Sequence, residues 1–307
     1  MSEGPARVLE ALRRAAGQSR SGEELSSQLG VSRTQIWKHM ETLRGRGVGI
    51  VEPGSGYLAC GWLGKGRLAE VADIVDAAMR VLLPRRDLDG RRVLVSAGPT
   101  IEDIDPVRYI SNRSSGRMGY AIAAAAQARG ADVTLVSGPV ELPAPADVEV
   151  VAVRSAKQMA SAVKQHAEHA DVVVMAAAVA DYRPASTAPE KLKKQEGSLT
   201  LDLERTEDIL AGLGGRAGRT LVGFTAETEK LREHARLKLE KKRLDLIVAN
   251  DVSQKGAGFG GDQNAALLID ASGGETEVPL VSKRELADRI WDRVAELRAA
   301  RPQPIEA

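Results

Sequence analysis

The sequence predicts an α/β protein, a mostly parallel sheet with helices on both faces, preceded by a small N-terminal domain. Three observations carry that reading. From Arg91 onward, apolar runs of strand length alternate with segments of helical periodicity, the pattern of a parallel sheet covered on both sides. Composition changes character near residue 60 and again across the charged stretch 83–90, which separates a small domain, a linker and a large domain. In the first block, helix, helix, turn, helix and hairpin follow one another, the order of a winged helix-turn-helix. The architecture is therefore a winged helix-turn-helix over 1–60, a linker over 61–89 and a Rossmann-like domain over 90–307.

In the first block, Val8, Leu9, Leu12 and Ala15 recur at helical spacing. A short helix spans Glu23 to Leu29, Gly30 gives the next turn its bend, and Ser32 stands as N-cap of a third helix from Arg33 to Arg44. The segment 47–58 reads as two short strands about the turn Pro53-Gly54. In the large domain, strands are predicted at 92–97, 132–137, 148–153, 171–176, 220–224 and 245–249, with an added strand at 265–269. Helices are predicted at 118–129, 156–169, 207–213, 229–242 and 283–299.

Composition excludes several functions. The chain has 307 residues, 43 Lys+Arg against 42 Asp+Glu and a net charge of +1, so bulk charge argues neither for nor against nucleic acid. At 3% aromatic residues there is no base-stacking platform for single strands. One cysteine, Cys60, and four scattered histidines supply no disulfide and no structural zinc site. No apolar stretch approaches the roughly 18 residues of a membrane span, and the start lacks the apolar core of a signal peptide, so a cytoplasmic protein without membrane contact is expected.

Between the first large-domain strand, ending in Ala97-Gly98-Pro99-Thr100, and the next helix runs a connection far longer than the usual two to six residues. Its end, Asn112-Arg113-Ser114-Ser115-Gly116-Arg117, brings two hydroxyls, backbone amides and a permissive glycine to a helix N-terminus, where unpaired N–H groups and the helix dipole favour an anion. A serine-rich cap would explain the hydroxyls alone. Arg108, Asn112 and Arg117 on the same loop favour a phosphate or carboxylate cradle. The fourth strand runs into Met175-Ala176-Ala177, small residues that let a ligand approach the backbone in the crevice where open α/β sheets bind nucleotides. Asp181 beyond them is a candidate for a metal or a polar ligand edge, or a plain turn aspartate. The basic cluster Lys191-Leu192-Lys193-Lys194 would count as solvated surface by itself, but behind an anion cradle a mobile lysine can close over a polyphosphate.

Two glycine patterns are refused as dinucleotide fingerprints. Gly256–Gly261 leads into a strand, and Gly212-Leu213-Gly214-Gly215 follows a helix, so neither opens a helix after a strand. Gly64-Lys65 is followed by Gly66, so the usual ATPase loop is absent. An oxidoreductase is disfavoured further because Tyr182 is followed four residues on by Ser186, not lysine.

With those residues in place, the chain from about Gly90 to its end resembles the phosphopantothenate–cysteine ligases of coenzyme A biosynthesis. The matching segments, in order, are AGPTIEDIDPVRYISNRSSGRMGYAIAAAA, LVSGPV, AAAVADYRP, APEKLKK, VGFTAET and LDLIVANDVS. The resemblance implies two half-reactions: the carboxylate of 4′-phosphopantothenate attacks the α-phosphate of CTP, giving an acyl cytidylate and pyrophosphate, and the amine of cysteine then displaces CMP. Mg²⁺ would offset triphosphate charge. By motif position, Asn112 would process the acyl cytidylate through a hydrogen bond at the reacting carbonyl, with Arg108, Ser114, Ser115 and Gly116 shaping the adjoining anion site. Lys191 would cover the triphosphate. Met175, Ala176, Ala177 and Asp181 would lie in the nucleotide crevice, Glu207, Asp208, Ile209, Leu210 and Phe224 would line it, and Lys238 and Lys242 would reach the phosphates or base. Asn250 lies at the same edge as a weaker candidate. The resemblance also implies a homodimer.

The N-terminal block departs from that family, whose members carry a flavin-dependent decarboxylase there. The segment 53–70 looks like the closing segment of that decarboxylase, and Cys60 matches its proton donor, yet 60 residues cannot hold the flavin fold, so no decarboxylation is expected. The preceding residues are similar to the winged helix-turn-helix of biotin-operon repressors. Arg33, Thr34, Gln35, Trp37 and Lys38 would then lie on a recognition helix, with Gln35 reading a base edge and Arg33 and Lys38 touching phosphate. With eight Lys and Arg against six Glu through Cys60 the block is only mildly basic, and winged helices also dock proteins. The principal reading is an active ligase with an appended DNA-binding domain. The alternative is a transcription regulator that uses the large domain as a metabolite sensor, against which the retention of Asn112, Asp181 and Lys191 argues.

Overall fold

The computed structural model describes residues 3–14, 22–44, 54–57, 63–67, 85–194, 198–227, 230–251 and 261–300. The chain forms two compact units, Met1–Pro84 and Arg85–Ala307.

The first unit contains α1 (Glu3–Arg14), α2 (Gly22–Leu29) and α3 (Arg33–Arg44) around a core of Val8, Ala11, Leu25, Ile36 and Leu43. Gly30 takes the left-handed conformation that the turn before α3 requires, at φ 65°. Ser32 caps α3 by accepting from Gln35 N at 3.2 Å, while Gln35 Oε1 accepts from Ser32 N at 2.9 Å, a reciprocal capping box. The hairpin differs from expectation. Its strands are β1 (Gly54–Tyr57) and β2 (Leu63–Arg67), with Tyr57 opposite Leu63 and Ser55 opposite Lys65. Gly54 therefore opens a strand instead of turning the hairpin, and the wing extends into the segment read as linker. The candidate strand before Pro53, and Cys60, lie outside the described residues.

The second unit is an open eight-stranded sheet in the order β14-β13-β12-β11-β8-β3-β6-β7. Its strands are β3 (Arg92–Ala97), β6 (Asp132–Ser137), β7 (Glu149–Ala152), β8 (Val172–Met175), β11 (Thr220–Glu227), β12 (Leu246–Asp251), β13 (Gln263–Asp270) and β14 (Glu275–Ser282). The six from β7 to β12 are parallel, and β13 and β14 extend the sheet antiparallel. Two short hairpins stand outside it, β4 (Ile101–Asp103) with β5 (Tyr109–Ser111) and β9 (Tyr182–Pro184) with β10 (Leu203–Arg205). One face is covered by α4 (Arg117–Ala128) and α8 (Lys283–Ala299), the other by α5 (Ala156–Ala167), α6 (Ile209–Leu213) and α7 (Leu231–Lys242). The fold is thus the Rossmann-like, mostly parallel sheet expected.

Alternating small and large side chains set the packing on the α4 face. Gly119 of α4 sits so close to β3 that a Cβ there would lie 2.5 Å from the Ala97 Cβ. That approach brings Ile122, Ala123 and Ala126 onto the sheet. On the same face Trp291 of α8 is fully buried and its indole N–H donates to Ile122 O at 3.0 Å, so the largest core side chain also satisfies its one polar atom. From β3 the chain moves to β6 and β7 on one side, then returns to β8 on the other, so order reverses between β3 and β8. That reversal opens a crevice at their carboxyl ends.

Trp291→Ala leaves a ring-sized void and removes the indole donor to Ile122 O, and is expected to destabilise the second unit by about 3–5 kcal/mol, read as a lower denaturation midpoint in urea.

Candidate functional site

The crevice floor is made by two chain segments running side by side past the end of the sheet. Ser96 Oγ accepts from Ala177 N at 3.1 Å, Gly98 O from Ala178 N at 2.9 Å, and Thr100 Oγ1 from Ala180 N at 3.0 Å. Ser96 and Thr100 are fully buried, so these bonds satisfy polar groups that have no access to water. Ala176, Ala177, Ala178 and Val179 are small or half-buried residues along this strip, which suits a ligand approaching the main chain. Met175 contributes backbone only, because its side chain belongs to the core beneath α5.

Above this floor the β4–β5 hairpin returns through Ser111, whose hydroxyl donates to Thr100 O at 2.7 Å. Asn112 follows, with Nδ2 donating to Val179 O at 2.9 Å. The donor expected at a reacting carbonyl is therefore turned to the floor, and Oδ1 is the polar atom Asn112 offers to a ligand. Gly116 ends the loop at φ 72°, the left-handed conformation natural to glycine, and its N–H donates to Ser114 Oγ at 3.3 Å. No side chain caps α4, so the helix start beside Ser114, Ser115 and Gly116 presents N–H groups to an anion. Arg117 turns away from this cradle and pairs with Asp262 before β13.

Arg108 and the KLKK segment meet at a residue the sequence reading overlooked. Arg108 donates to Asp105 Oδ2 through Nε at 3.0 Å and Nη2 at 2.6 Å, and to Leu192 O at 2.9 Å. Arg108 is thus tied to the KLKK segment, with no hydrogen bond to the cradle. The Arg108 guanidinium holds the Asp105 carboxyl well below the usual carboxylate range; burial opposes that effect, and backbone N–H groups of Val107, Arg108 and Leu192 add to it. A depressed carboxyl contributes stability that is complete above the ordinary range near pH 4 and is lost progressively as pH falls from there through the lowered value, while the ion pair itself persists in the folded chain into strong acid. The signal in the sequence was Asp105-Pro106, a turn-initiating pair. Lys191 is exposed beside Leu192, and Asp181 is exposed at the entrance to β9. Among the described residues no group of three or more His, Cys, Asp or Glu could hold a metal. A magnesium ion fits only in the manner usual for it, through one carboxylate such as Asp181 together with the phosphates of a substrate.

The remaining candidates gather on the other side of the crevice. Thr206 ties β10 to the floor, donating from its hydroxyl to Ala180 O at 2.5 Å and from its N–H to Asp181 O at 3.0 Å. Glu207 pairs with Lys164 at 2.5 Å, and Asp208 caps α6 by accepting from Ala211 N at 3.0 Å. The cap explains why the helix starts at Ile209 and not at Glu207. Lys242 pairs with Asp208, and Lys238 Nζ donates to Phe224 O at 2.8 Å, so α7 brings both lysines to this rim. Ile209 is buried in the core, while Leu210 and Phe224 are half-buried. Asn250 Oδ1 is buried without a hydrogen-bond partner among the described residues.

In the first unit, Arg33, Thr34, Gln35, Trp37 and Lys38 are all exposed around the buried Ile36. Gln35 differs from expectation in that its Oε1 serves the capping box.

The crevice at a strand-order reversal, flanked by an uncapped helix start, defines the second unit as a Rossmann-like α/β domain with an anion-receptive site. Residues 88–297 match the DNA/pantothenate metabolism flavoprotein C-terminal domain, DFP, and the chain belongs to that family. Residues 6–58 match an HTH domain. Among relatives, the coenzyme A biosynthesis bifunctional protein CoaBC of Bacillus subtilis (strain 168) is 45% identical over 266 residues, 85% of this chain and 66% of that protein. The CoaBC of Escherichia coli (strain K12) is 46% identical over 261 residues, 83% of this chain and 64% of that protein. The chain thus spans about two thirds of these relatives' length. Among solved structures, the C-terminal domain of a CoaBC is 42% identical with a TM-score of 0.60, covering 69% of this chain and 97% of that one. A DNA/pantothenate metabolism flavoprotein from Streptococcus pneumoniae, 24% identical with a TM-score of 0.59 over 67% of this chain and 99% of that one, shares the fold. No helix among the described residues is long and apolar enough to cross a membrane.

Thr100→Val keeps the shape of the floor but removes the acceptor for Ala180 N. Thermal and urea unfolding are expected to show a loss of about 1–3 kcal/mol, the cost of a buried N–H left unpaired.

Proposed function

We propose that the chain is a phosphopantothenate–cysteine ligase that joins 4′-phosphopantothenate to cysteine at the expense of CTP. The observation that carries the reading is the placement of Asn112 over Val179, between the floor and the uncapped start of α4, in a chain 45% identical to a coenzyme A biosynthesis protein.

In the first half-reaction, a carboxylate oxygen of 4′-phosphopantothenate attacks the α-phosphorus of CTP. The bond to the pyrophosphate oxygen breaks, and an acyl cytidylate forms. Negative charge is concentrated on the phosphates throughout, so the groups that matter are cationic or donate N–H: the α4 start with Ser114, Ser115 and Gly116, Lys191 from the flap, and Lys238 and Lys242 from α7. Mg²⁺ held by Asp181 and the triphosphate would supply further charge neutralisation. In the second half-reaction, the cysteine amine attacks the acyl carbonyl, the C–O bond to CMP breaks, and the amine loses a proton to water. With Nδ2 fixed on Val179 O, Asn112 Oδ1 accepts from the attacking amine and aims its lone pair at the carbonyl.

A homodimer is part of the same reading. Val107, Tyr109, Tyr182 and Leu203 lie exposed on the two hairpins beside the crevice, an apolar surface that a second copy would cover. For the first unit, double-stranded DNA is the proposed partner, supported by the HTH match and by the exposed α3 face.

Asn112→Asp cannot donate to Val179 O and adds charge beside the acyl cytidylate. It is expected to release pyrophosphate in a single turnover within about threefold of the parent, while cysteine-dependent CMP release falls by about a hundredfold; equal loss of both steps would remove the assigned role. For the first unit, affinity for duplex DNA is expected to fall steeply as salt rises, and Arg33→Ala with Lys38→Ala should reduce the salt slope by about two. Affinity that ignores both salt and these substitutions would exclude phosphate contact.

A further inference from the structure

Asp105 is enclosed, with no exposed side-chain surface, and its carboxylate takes five hydrogen bonds. One oxygen serves its own turn: Oδ1 accepts from Val107 N at 2.9 Å and Arg108 N at 2.8 Å. The other joins distant segments. Oδ2 accepts from Arg108 Nε and Nη2 and also from Leu192 N at 3.1 Å, 87 residues further along the chain. Arg108 Nη2 then reaches Leu192 O at 2.9 Å, so both backbone polar groups of Leu192 are held by one ion pair. The start of the flap is secured to the same hairpin, with Thr187 Oγ1 donating to Asp103 O at 3.1 Å and Ala188 N to Ile104 O at 2.9 Å. The hairpin is in turn fixed to α5 and the residue before its cap: Glu102 Oε1 accepts from Ala156 N at 2.8 Å, and Asp103 pairs with Arg154 at 2.7 Å.

We infer that Asp105 is a positioning residue for the ligation, which locks Arg108 and the backbone beside Lys191 into one unit so that the lysine closes from a fixed base. This rests on the reading of Lys191 as the cover of the triphosphate. A hairpin needs only the Oδ1 bonds to make its turn. The Oδ2 bonds cross to another segment and end one residue from the lysine, while Lys191 itself remains exposed. Only the backbone is fixed, and the side chain stays able to reach a ligand.

Asp105→Asn keeps size and shape but faces the three Oδ2 donors with a neutral amide, whose nitrogen repels them and whose oxygen accepts weakly. In the full chain, trypsin cleavage after Lys191, Lys193 and Lys194 is expected to accelerate about tenfold. In a double-mutant cycle, Asp105→Asn is expected to lower kcat about thirtyfold in the parent but less than threefold in a Lys191→Gln background, with the KM for cysteine unchanged. Equal losses in both backgrounds, or unchanged cleavage of the flap, would overturn the inference. Should Asp105→Asn not fold, Leu192→Pro removes the one N–H by which the flap reaches Asp105 and leaves the hairpin intact; the double-mutant cycle applies unchanged, and cleavage is read after Lys193 and Lys194 alone, because trypsin does not cut a Lys–Pro bond. Absence of turnover in the parent would count against the ligase reading alone, since the cleavage assay needs no activity.

Discussion

The second unit depends on the pairing of β3 with β8 and on its continuation past the sheet. Within the sheet the two strands run in register from Val93 opposite Val172 to Ser96 opposite Met175. Beyond it, Ser96 and Thr100 replace strand partners with hydroxyls, so the segment from Ala177 to Ala180 stays paired where the sheet has ended. Three of the segments above the crevice are attached to that strip or to Thr100 beside it. Asn112 hangs on Val179 O, Ser111 on Thr100 O, and Thr206 on Ala180 O and Asp181 O. Without buried hydroxyls at Ser96 and Thr100 the strip would expose unpaired amides inside the protein, and the loops above would have no common base.

Carboxylates act as joints in the rest of the unit. Asp171 Oδ2 accepts from Arg92 N and Asp245 Oδ2 from Leu221 N, so each stitches the amino end of one strand to its neighbour. Arg129, nearly buried, pairs with Asp87 and Asp292 and thereby ties the segment before β3 to α8. Asp270, also buried, takes bonds from Ser272 and Gly274 N–H groups and from Arg293, closing the β13–β14 turn onto α8. Asp105 follows the same physical pattern at the crevice, and differs in that the segment it holds bears the flap. Such paired charges specify an arrangement more than they add stability, because the desolvation of both partners offsets much of their attraction.

Much of this architecture was legible because its strands and helices are long enough to show a period. β3, β6 and α8 fall where predicted, since each is a continuous apolar run or a sustained helical stripe bounded by polar residues. β14 escaped because only Val278 of its eight residues is buried and Pro279 interrupts it. β4, β5, β9 and β10 have three residues each, too few for an alternation to register. The anion cradle could be read from residue types because a helix start offers N–H groups whatever its sequence. The orientation of Asn112, the capping of Asp208 and the bridging by Asp105 could not, since each depends on a partner distant in sequence or on a local choice between competing hydrogen bonds. Gln35 shows the same limit: a residue suited to a base edge spends its oxygen on its own helix cap.

The central claim, that this crevice ligates, is tested most directly by incubating the purified full chain with CTP, Mg²⁺ and 4′-phosphopantothenate and measuring pyrophosphate and CMP with and without cysteine. The account predicts that pyrophosphate forms without cysteine to no more than about one equivalent of sites, and that cysteine starts continuous and equal release of pyrophosphate and CMP. Binding of CTP and 4′-phosphopantothenate with neither product formed would contradict it, and would make the large domain a sensor.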